Sequence, residues 1–168
     1  GFVQVLERIA NLWKIGRQSL LDNSKKLSKI LEESTALGGP EDSAAPQAAW
    51  LDRACQSYRV SFDEGQGGFG GAPKFPMPVH HNFLLRHYAR TGEKDALNMT
   101  LFTLRAMAKG GIYDHVGGGF HRYSTDGEWR VPHFEKMLYD NAQIAVNYLD
   151  AFQISGDPEL AQIARETL

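Results

Sequence analysis

Residues 67–75 (GGFGGAPKF) and residues 118–134 (GGFHRYSTDGEWRVPHF) decide the fold predicted for this chain. Both stretches open on Gly-Gly-Phe, end in the matching triplets PKF and PHF, and precede a segment with helical hydrophobic spacing. A second match joins TGEKDALNMTLFTL, from Thr91, to SGDPELAQIARETL, which starts 64 residues later at Ser155. The repeated unit is a glycine-rich loop followed by two helices, which is typical of stacked helical hairpins in a toroid or solenoid.

The hydrophobic pattern predicts helices through most of the remaining chain. Residues 2–34 read as one helix with a single apolar stripe, in which Gly16 is the position most prone to a break. Residues 36–47 hold small residues, glycine and proline, so they are predicted as a linker. The helices predicted after it cover residues 46–60, 79–91, 93–109 and 132–154, and a last one starts at Pro158.

The pair Asp126-Gly127 predicts one short β-hairpin in an otherwise all-α chain. Asp-Gly is the favoured two-residue hairpin turn because both positions tolerate positive φ, and aromatic and branched residues flank it on both sides. This turn sets a register in which Tyr123 lies opposite Arg130.

Pro132 is predicted to occupy the first position of the long helix that follows, with His133 and Glu135 in its first turn. Because both glycine-rich loops precede equivalent helices, we expect the loops to lie at one end of the assembly. They would then line a pocket at the N-termini of the helices that begin near Pro78 and Pro132.

Composition limits the classes of function. Eighteen basic and twenty acidic residues give a net charge of −2, which argues against nucleic acid as a partner. No apolar run reaches the roughly 20 residues of a membrane span, so we expect no membrane association. The single cysteine, Cys55, excludes an internal disulfide and favours a reducing, intracellular and most simply cytoplasmic location. Cys55 falls on the apolar side of its predicted helix and is expected in the core.

The second loop is dense in groups that could carry chemistry, and three readings compete with a purely structural one. In the first, Tyr123 and Trp129 stack against a sugar while carboxylates act as general acid and base. In the second, a histidine is the acid and base of an epimerase or isomerase. In the third, His115, His121 and His133 bind a metal, but their spacing matches no established ligand pattern, so we expect neither metal nor cofactor.

Three long motifs resemble a known family: GGFGGAPKFPMP, GGIYDHVGGGFHRYSTDGEW and VPHFEKMLYDNAQ. They are similar to the spermatogenesis-associated thioredoxin-like family, whose members join a thioredoxin-like domain to a six-hairpin (α/α) toroid like those of glycosidases and N-acylglucosamine 2-epimerases. The resemblance implies an all-α, incomplete toroid: residues 1–35 as the C-terminal helix of the thioredoxin-like domain, 36–47 as linker, and 48–168 as the first toroid hairpins.

The function expected from residues and resemblance together is a carbohydrate-processing domain, either a hydrolase or an epimerase. A non-catalytic protein-binding module is the alternative, serving the upstream thioredoxin-like domain of the same chain in redox or protein quality control. The candidate catalytic residues are His121, Asp114, Glu135 and His133. The candidate substrate-binding residues are Arg122, Tyr123, Trp129, Asp126, Phe69, Lys74, Tyr139 and Asp140.

Overall fold

A computed structural model of the protein describes residues 1–35 and 47–168. The chain divides into two compact units, Gly1–Pro46 and Gln47–Leu168. Residues 36–46, which make up nearly all of the predicted linker, lie outside the described residues. The linker therefore stays a prediction.

In residues 1–35, the described part of the first unit, α1 (Phe2–Ile15) and α2 (Arg17–Thr35) pack against each other. Gly16 separates them, as its low helix propensity predicts. The guanidinium of Arg17 lies 4.5 Å from the centroid of the Trp13 ring, across this break. The apolar stripe stays exposed along both helices, and its assignment to a thioredoxin-like domain remains a prediction.

The second unit is built from helical hairpins, which confirms the all-α prediction. Its helices are α3 (Ala48–Ser61), α4 (Pro78–Thr91), α5 (Lys94–Lys109), α6 (Leu138–Ser155) and α7 (Pro158–Thr167). Helices α4 and α5 form one hairpin and α6 and α7 the next; α4 packs on α6 and α3 packs on α4. In the described ranges the only strands are β1 (Tyr123–Ser124) and β2 (Pro132–His133).

Matching turns close the two hairpins and confirm the repeat of 64 residues. Gly92 ends α4 at φ 75° and Gly156 ends α6 at φ 72°, a left-handed conformation that glycine adopts without steric cost. Each glycine donates its N–H to the carbonyl four residues earlier. Asp157 then caps α7 by accepting the backbone N–H of Glu159, and its carboxylate also binds Arg105 of α5 at 2.7 Å.

The core forms two clusters of buried side chains. The larger joins both hairpins to the loop between them, through residues such as Leu104, Phe120 and Tyr148. The smaller lies between α3, α4 and α5, and it contains Cys55, which confirms the predicted core position of that side chain. None of the described helices is long and apolar enough to cross a bilayer.

The predicted hairpin register is wrong. Tyr123 pairs with His133 rather than with Arg130, and a wide loop of residues 125–131 replaces the two-residue turn. The carboxylate of Asp126 accepts three backbone N–H groups within this loop, which holds the chain open where a tight turn would close it. Trp129 adopts a left-handed φ of 63° inside the loop.

The predicted start of the long helix is also wrong. Pro132 and His133 form β2, and the carbonyl of Glu135 accepts the N–H of Arg122 at 2.6 Å. The backbone of residues 132–135 is hydrogen-bonded to β1 and to Arg122, so it cannot take helical geometry. Helix α6 therefore begins at Leu138, and the helix N-terminus expected at Pro132 is not there.

Gly111 tests how tightly the wide loop packs against the end of α5. A Cβ at Gly111 would collide with the carbonyl oxygen of Arg130, whereas a Cβ at Gly71 meets no atom within 4 Å. We expect Gly111→Ala to lower the free energy of unfolding by about 2 kcal/mol or more, because the loop backbone must move. Gly71→Ala is the control and should change it by less than about 0.5 kcal/mol. Equal denaturant midpoints for the two variants would contradict this packing.

Candidate functional site

The first glycine loop, residues 62–74, is closed by one aspartate and one lysine. Asp63 Oδ1 accepts two backbone N–H groups of its own loop, at 2.9 Å each. The ammonium of Lys74 donates to Asp63 Oδ2 at 2.6 Å, to the Gly67 carbonyl at 2.8 Å and to the Gly127 carbonyl at 2.8 Å. Lys74 is the main cause that holds the pKa of Asp63 below its usual value, so this carboxylate stays ionised.

The second glycine loop, residues 113–120, repeats this arrangement. Asp114 Oδ1 accepts two backbone N–H groups, at 2.9 and 3.0 Å. Lys136 donates to Asp114 Oδ2 at 2.5 Å and to the Gly118 carbonyl at 2.7 Å. The bond from Lys136 is the largest of the effects that lower the pKa of Asp114. Gly118 lies so close to the carbonyl of Glu166 in α7 that a Cβ would collide with it.

Three of the predicted site residues serve the backbone of these loops. Lys74 is fully buried and Asp114 is bonded at both carboxylate oxygens. Burial alone would raise the pKa of Asp126, but three backbone N–H donors in residues 128–131 outweigh it and lower the pKa. The expected substrate contacts of Lys74 and Asp126, and an acid role for Asp114, do not fit side chains whose polar atoms are already occupied.

Trp129 is buried, which does not fit the expectation that it stacks on a ligand. Its ring is 1% exposed, and its indole N–H donates to the carbonyl of Gln66 at 2.9 Å. The Lys74 ammonium lies 5.3 Å from the ring centroid, and Gly68 packs against the ring edge without room for a Cβ. Trp129 thus joins the wide loop of residues 125–131 to the first glycine loop from within.

The structure places a separate cavity beside each glycine loop, which does not match the single pocket predicted between them. A cavity of about 520 Å³ adjoins the first loop and is lined by Phe62, Glu64 and α5 residues. A second cavity, of about 310 Å³, adjoins the other loop and is lined by Tyr113, Asp114 and neighbouring residues. The two cavities have no lining residue in common, so each loop borders its own cavity.

Four other predicted residues, Tyr123, His133, Arg122 and Glu135, meet Phe75 at an exposed cluster that we call the ring face. The rings of Tyr123 and His133 stack at 4.9 Å with an interplanar angle of 14°, and Phe75 packs on Tyr123, also at 4.9 Å. Glu135 Oε2 lies 3.3 Å from the Arg122 guanidinium and 3.6 Å from His133 Nδ1. The pairing of β1 with β2 produces this cluster, because it sets Tyr123 beside His133.

His121 borders the ring face and stays neutral. Its ring lies 5.2 Å from the exposed Phe134 ring, and its Nδ1 is buried without a hydrogen-bond partner among the described residues. Burial, followed by the nearby Lys136 cation, lowers the pKa of His121. A neutral imidazole with an unused nitrogen can accept a hydrogen bond from a ligand or from water.

The last three predicted residues are spread over two places. Tyr139 and Asp140 lie in the first turn of α6; Tyr139 is exposed, and burial raises the pKa of Asp140 while the Arg122 cation opposes the shift. Phe69 is separate from both, because it packs with Tyr58 in the aromatic cluster of the first loop. Asp140 therefore remains near the ring face and Phe69 does not.

The histidines proposed as a metal set do not come together among the described residues. The group of potential metal ligands there is Cys55, His87 and Glu93, whose ligand atoms lie within 4.8 Å of one another. Glu93 Oε2 already binds the Arg59 guanidinium at 2.9 Å and His87 Nε2 at 3.1 Å. Arg59 occupies the oxygen that a cation would need, so the cluster is accounted for as an ion-pair network within the core.

Phe75 and Lys136 belong to the site and were missed by the sequence interpretation. Phe75 directly follows the first loop and reaches Tyr123, because Lys74 and Ser124 exchange two backbone hydrogen bonds of 2.8 Å. Lys136 is the structural counterpart of Lys74, whereas the sequence alignment matched Lys74 to His133. The shared Asp-x3-Gly-Gly spacing, with a lysine after each loop, was the available signal for Lys136.

Comparison with curated proteins identifies relatives for the whole chain. The chain is 46% identical over 173 aligned residues to spermatogenesis-associated protein 20 of Rattus norvegicus, 47% to that of Mus musculus and 46% to that of Homo sapiens, with all of the chain covered. It belongs to this family. The chain spans 22% of the length of these relatives. No protein-family model matches the chain.

Two solved structures share the fold of this family member. A sugar epimerase from a ruminal bacterium aligns with a TM-score of 0.59 and 17% identity, over 71% of this chain and 35% of that one. The cellobiose 2-epimerase from Spirochaeta thermophila aligns with a TM-score of 0.57 and 21% identity, over 74% of this chain and 36% of that one. The second unit thus has the fold of part of an α/α toroid, as predicted.

The buried imidazole of His81 makes the stability of the second unit sensitive to acid. Burial lowers the pKa of His81 to about 4, so between about pH 6.5 and pH 4 the unfolded chain binds the proton and the folded chain does not. The free energy of unfolding should therefore fall as the pH drops through this range, by about 1 kcal/mol per pH unit from this group. Denaturant titrations at several pH values measure this slope.

In His81→Phe the slope should become clearly shallower, because the titrating ring is gone. His115→Gln is the control, since His115 is exposed in the second loop, and its slope should match that of the unmodified chain. A slope that survives in His81→Phe would show that other groups cause the acid sensitivity.

Proposed function

We propose that this segment is a carbohydrate-processing domain that binds a saccharide at the ring face and transfers a proton there through His133. The proposal rests on the cluster in which His133 stacks on Tyr123 and the Glu135 carboxylate lies 3.6 Å from His133 Nδ1. The likeness of the fold to sugar epimerases supports the substrate class. The thioredoxin-like partner domain expected from the family resemblance belongs to the same proposal.

Each part of the ring face suits one task. Phe75 and Tyr123 offer aromatic surface to the apolar face of a sugar ring. The imidazole of His133 offers a nitrogen for general acid and base chemistry, and the Glu135 carboxylate lies 3.6 Å from its Nδ1, where it can orient the ring. Arg122 binds the same Glu135 oxygen, Oε2, at 3.3 Å and keeps the carboxylate in place.

Proton transfer of the epimerase or isomerase type is favoured over glycoside hydrolysis. Hydrolysis requires two available carboxyl groups on opposite sides of the scissile bond. Asp63, Asp114 and Asp126 each accept several hydrogen bonds from the protein, which lower their pKa values and leave no proton to donate. Glu135 and Asp140 are the carboxylates left near the ring face, and an imidazole beside one of them fits the single-base chemistry better.

The test follows both binding and proton transfer, with cellobiose and mannose as probes. Saturation-transfer NMR should show sugar protons in contact with the chain, and incubation in D₂O should exchange the proton at C2. Tyr123→Ala should weaken binding about tenfold, through lost stacking. Glu135→Gln should slow the exchange by about 10² or more while leaving binding similar.

Glu159→Gln in the first turn of α7 is the matched control and should behave like the unmodified protein. Saccharide binding without any C2 exchange would keep the binding role and remove the catalytic one. If neither saccharide binds, the proposal is overturned.

A protein-binding module is the second candidate, favoured by the apolar segment beside the ring face. Val131, Phe134, Leu138 and Tyr139 are all exposed, and Phe134 and Leu138 are each more than 80% exposed. Titration with a purified thioredoxin separates the two functions. Thioredoxin binding that Phe134→Ser abolishes, in a protein that binds no saccharide, would replace the first candidate with this one.

A further inference from the structure

The two copies of the glycine loop use their lysines differently. An ammonium carries three donor hydrogens. Lys74 gives all three to protein acceptors: Asp63, the Gly67 carbonyl and the Gly127 carbonyl. Lys136 gives two, to Asp114 and to the Gly118 carbonyl, and no further acceptor lies within reach among the described residues.

The two lysines also differ in the exposed fraction of their side chains. The Lys74 side chain is 0% exposed, whereas that of Lys136 is 37% exposed. The second copy therefore holds its ammonium in the same fixed position, by the same two bonds, but directs the remaining hydrogen toward open space. A donor held in place and left unused is suited to binding an oxygen from outside the chain.

Lys136 adjoins the proposed site in the chain. Lys136 directly follows Glu135 of the ring face, and its cation is close enough to His121 to lower the pKa of that ring. A ligand on the ring face would thus have one fixed donor available at its edge.

Charge pairing determines what kind of oxygen fits. Lys136 is paired with Asp114 at 2.5 Å and Arg122 with Glu135 at 3.3 Å, so each cation is already matched by a carboxylate. Asp140 adds a further carboxyl group nearby. In the first copy, the oxygen in the third position is an uncharged peptide carbonyl, that of Gly127. A phosphate or carboxylate would bring an unmatched negative charge, whereas a hydroxyl or carbonyl would not.

We infer that Lys136 is a ligand-binding residue that donates its free hydrogen to an uncharged oxygen of the saccharide, and that the site selects neutral saccharides over sugar phosphates and uronates. This inference rests on the proposed function and deepens it. Lys136 takes no part in proton transfer; it positions the sugar against His133. Asp114 sets the selectivity, because it neutralises the ammonium without blocking its third hydrogen.

Isothermal titration calorimetry with cellobiose, glucose 6-phosphate and glucuronate tests the inference. The unmodified protein should bind cellobiose at least tenfold more tightly than either anionic sugar. Lys136→Met should weaken cellobiose binding about tenfold, the loss expected for one charge-assisted hydrogen bond. Lys109→Met, at the exposed end of α5, is the matched control and should bind like the unmodified protein.

Asp114→Asn provides the readout that a purely structural role would not change. Its amide oxygen can still accept the backbone N–H groups of the loop, but its amide nitrogen then faces the Lys136 ammonium, which is no longer neutralised and is held only by the Gly118 carbonyl. Glucose 6-phosphate binding should then improve about tenfold relative to cellobiose, in a variant whose circular dichroism and melting temperature show that it is folded.

The outcomes separate the two proposals. Cellobiose binding that is unchanged in Lys136→Met, or equal affinity for neutral and anionic sugars in the unmodified protein, overturns the inference and leaves the proposed function standing. If no saccharide binds to any variant, both are overturned.

Discussion

The ammonium of Lys74 is the interaction on which the second unit depends. It is fully buried, and it is bonded to the carboxylate of Asp63 and to carbonyls of both glycine-rich segments. A buried cation is tolerated only when every donor is used, so the two loops must approach from both sides before the charge is satisfied. The buried Trp129 ring packs beneath this ammonium, between the first loop and the wide loop of residues 125–131. The ring face is an indirect product, because the same closure brings Phe75 to Tyr123.

The repeat explains why one loop is a scaffold and the other is available for function. Both copies use an aspartate to hold the loop backbone and a lysine to hold the aspartate. In the first copy, the wide loop of residues 125–131 covers the lysine; at the second copy, the described chain supplies no such cover. The same aspartate–lysine arrangement therefore occurs twice, with the lysine buried in the first copy and exposed in the second.

Sequence reasoning predicted the parts of the fold that depend on local signals. Helical spacing and the match between the segments from Thr91 and Ser155 predicted the hairpins, because the left-handed glycines and the N-cap at their turns act over a few residues. The same reasoning failed where a distant contact prevails. Asp126-Gly127 favours a tight turn locally, but the Asp126 carboxylate is used to cap a wider loop. Trp129 was predicted to stack on a ligand, but it is buried beneath Lys74. A single sequence does not reveal this burial.

The burial of Trp129 also gives the protein an internal optical reporter. Of the three tryptophans, Trp13 and Trp50 are each more than 40% exposed, while Trp129 is 1% exposed with a cation 5.3 Å from its ring centroid. Indole emission from a dry, rigid environment differs in wavelength and quenching from emission in water. Separation of the first loop from the wide loop of residues 125–131 would expose the Trp129 ring and leave the exposure of Trp13 and Trp50 unchanged. The fluorescence of a chain that retains only Trp129 would therefore follow opening of the loop pair, independently of whether the helices remain folded.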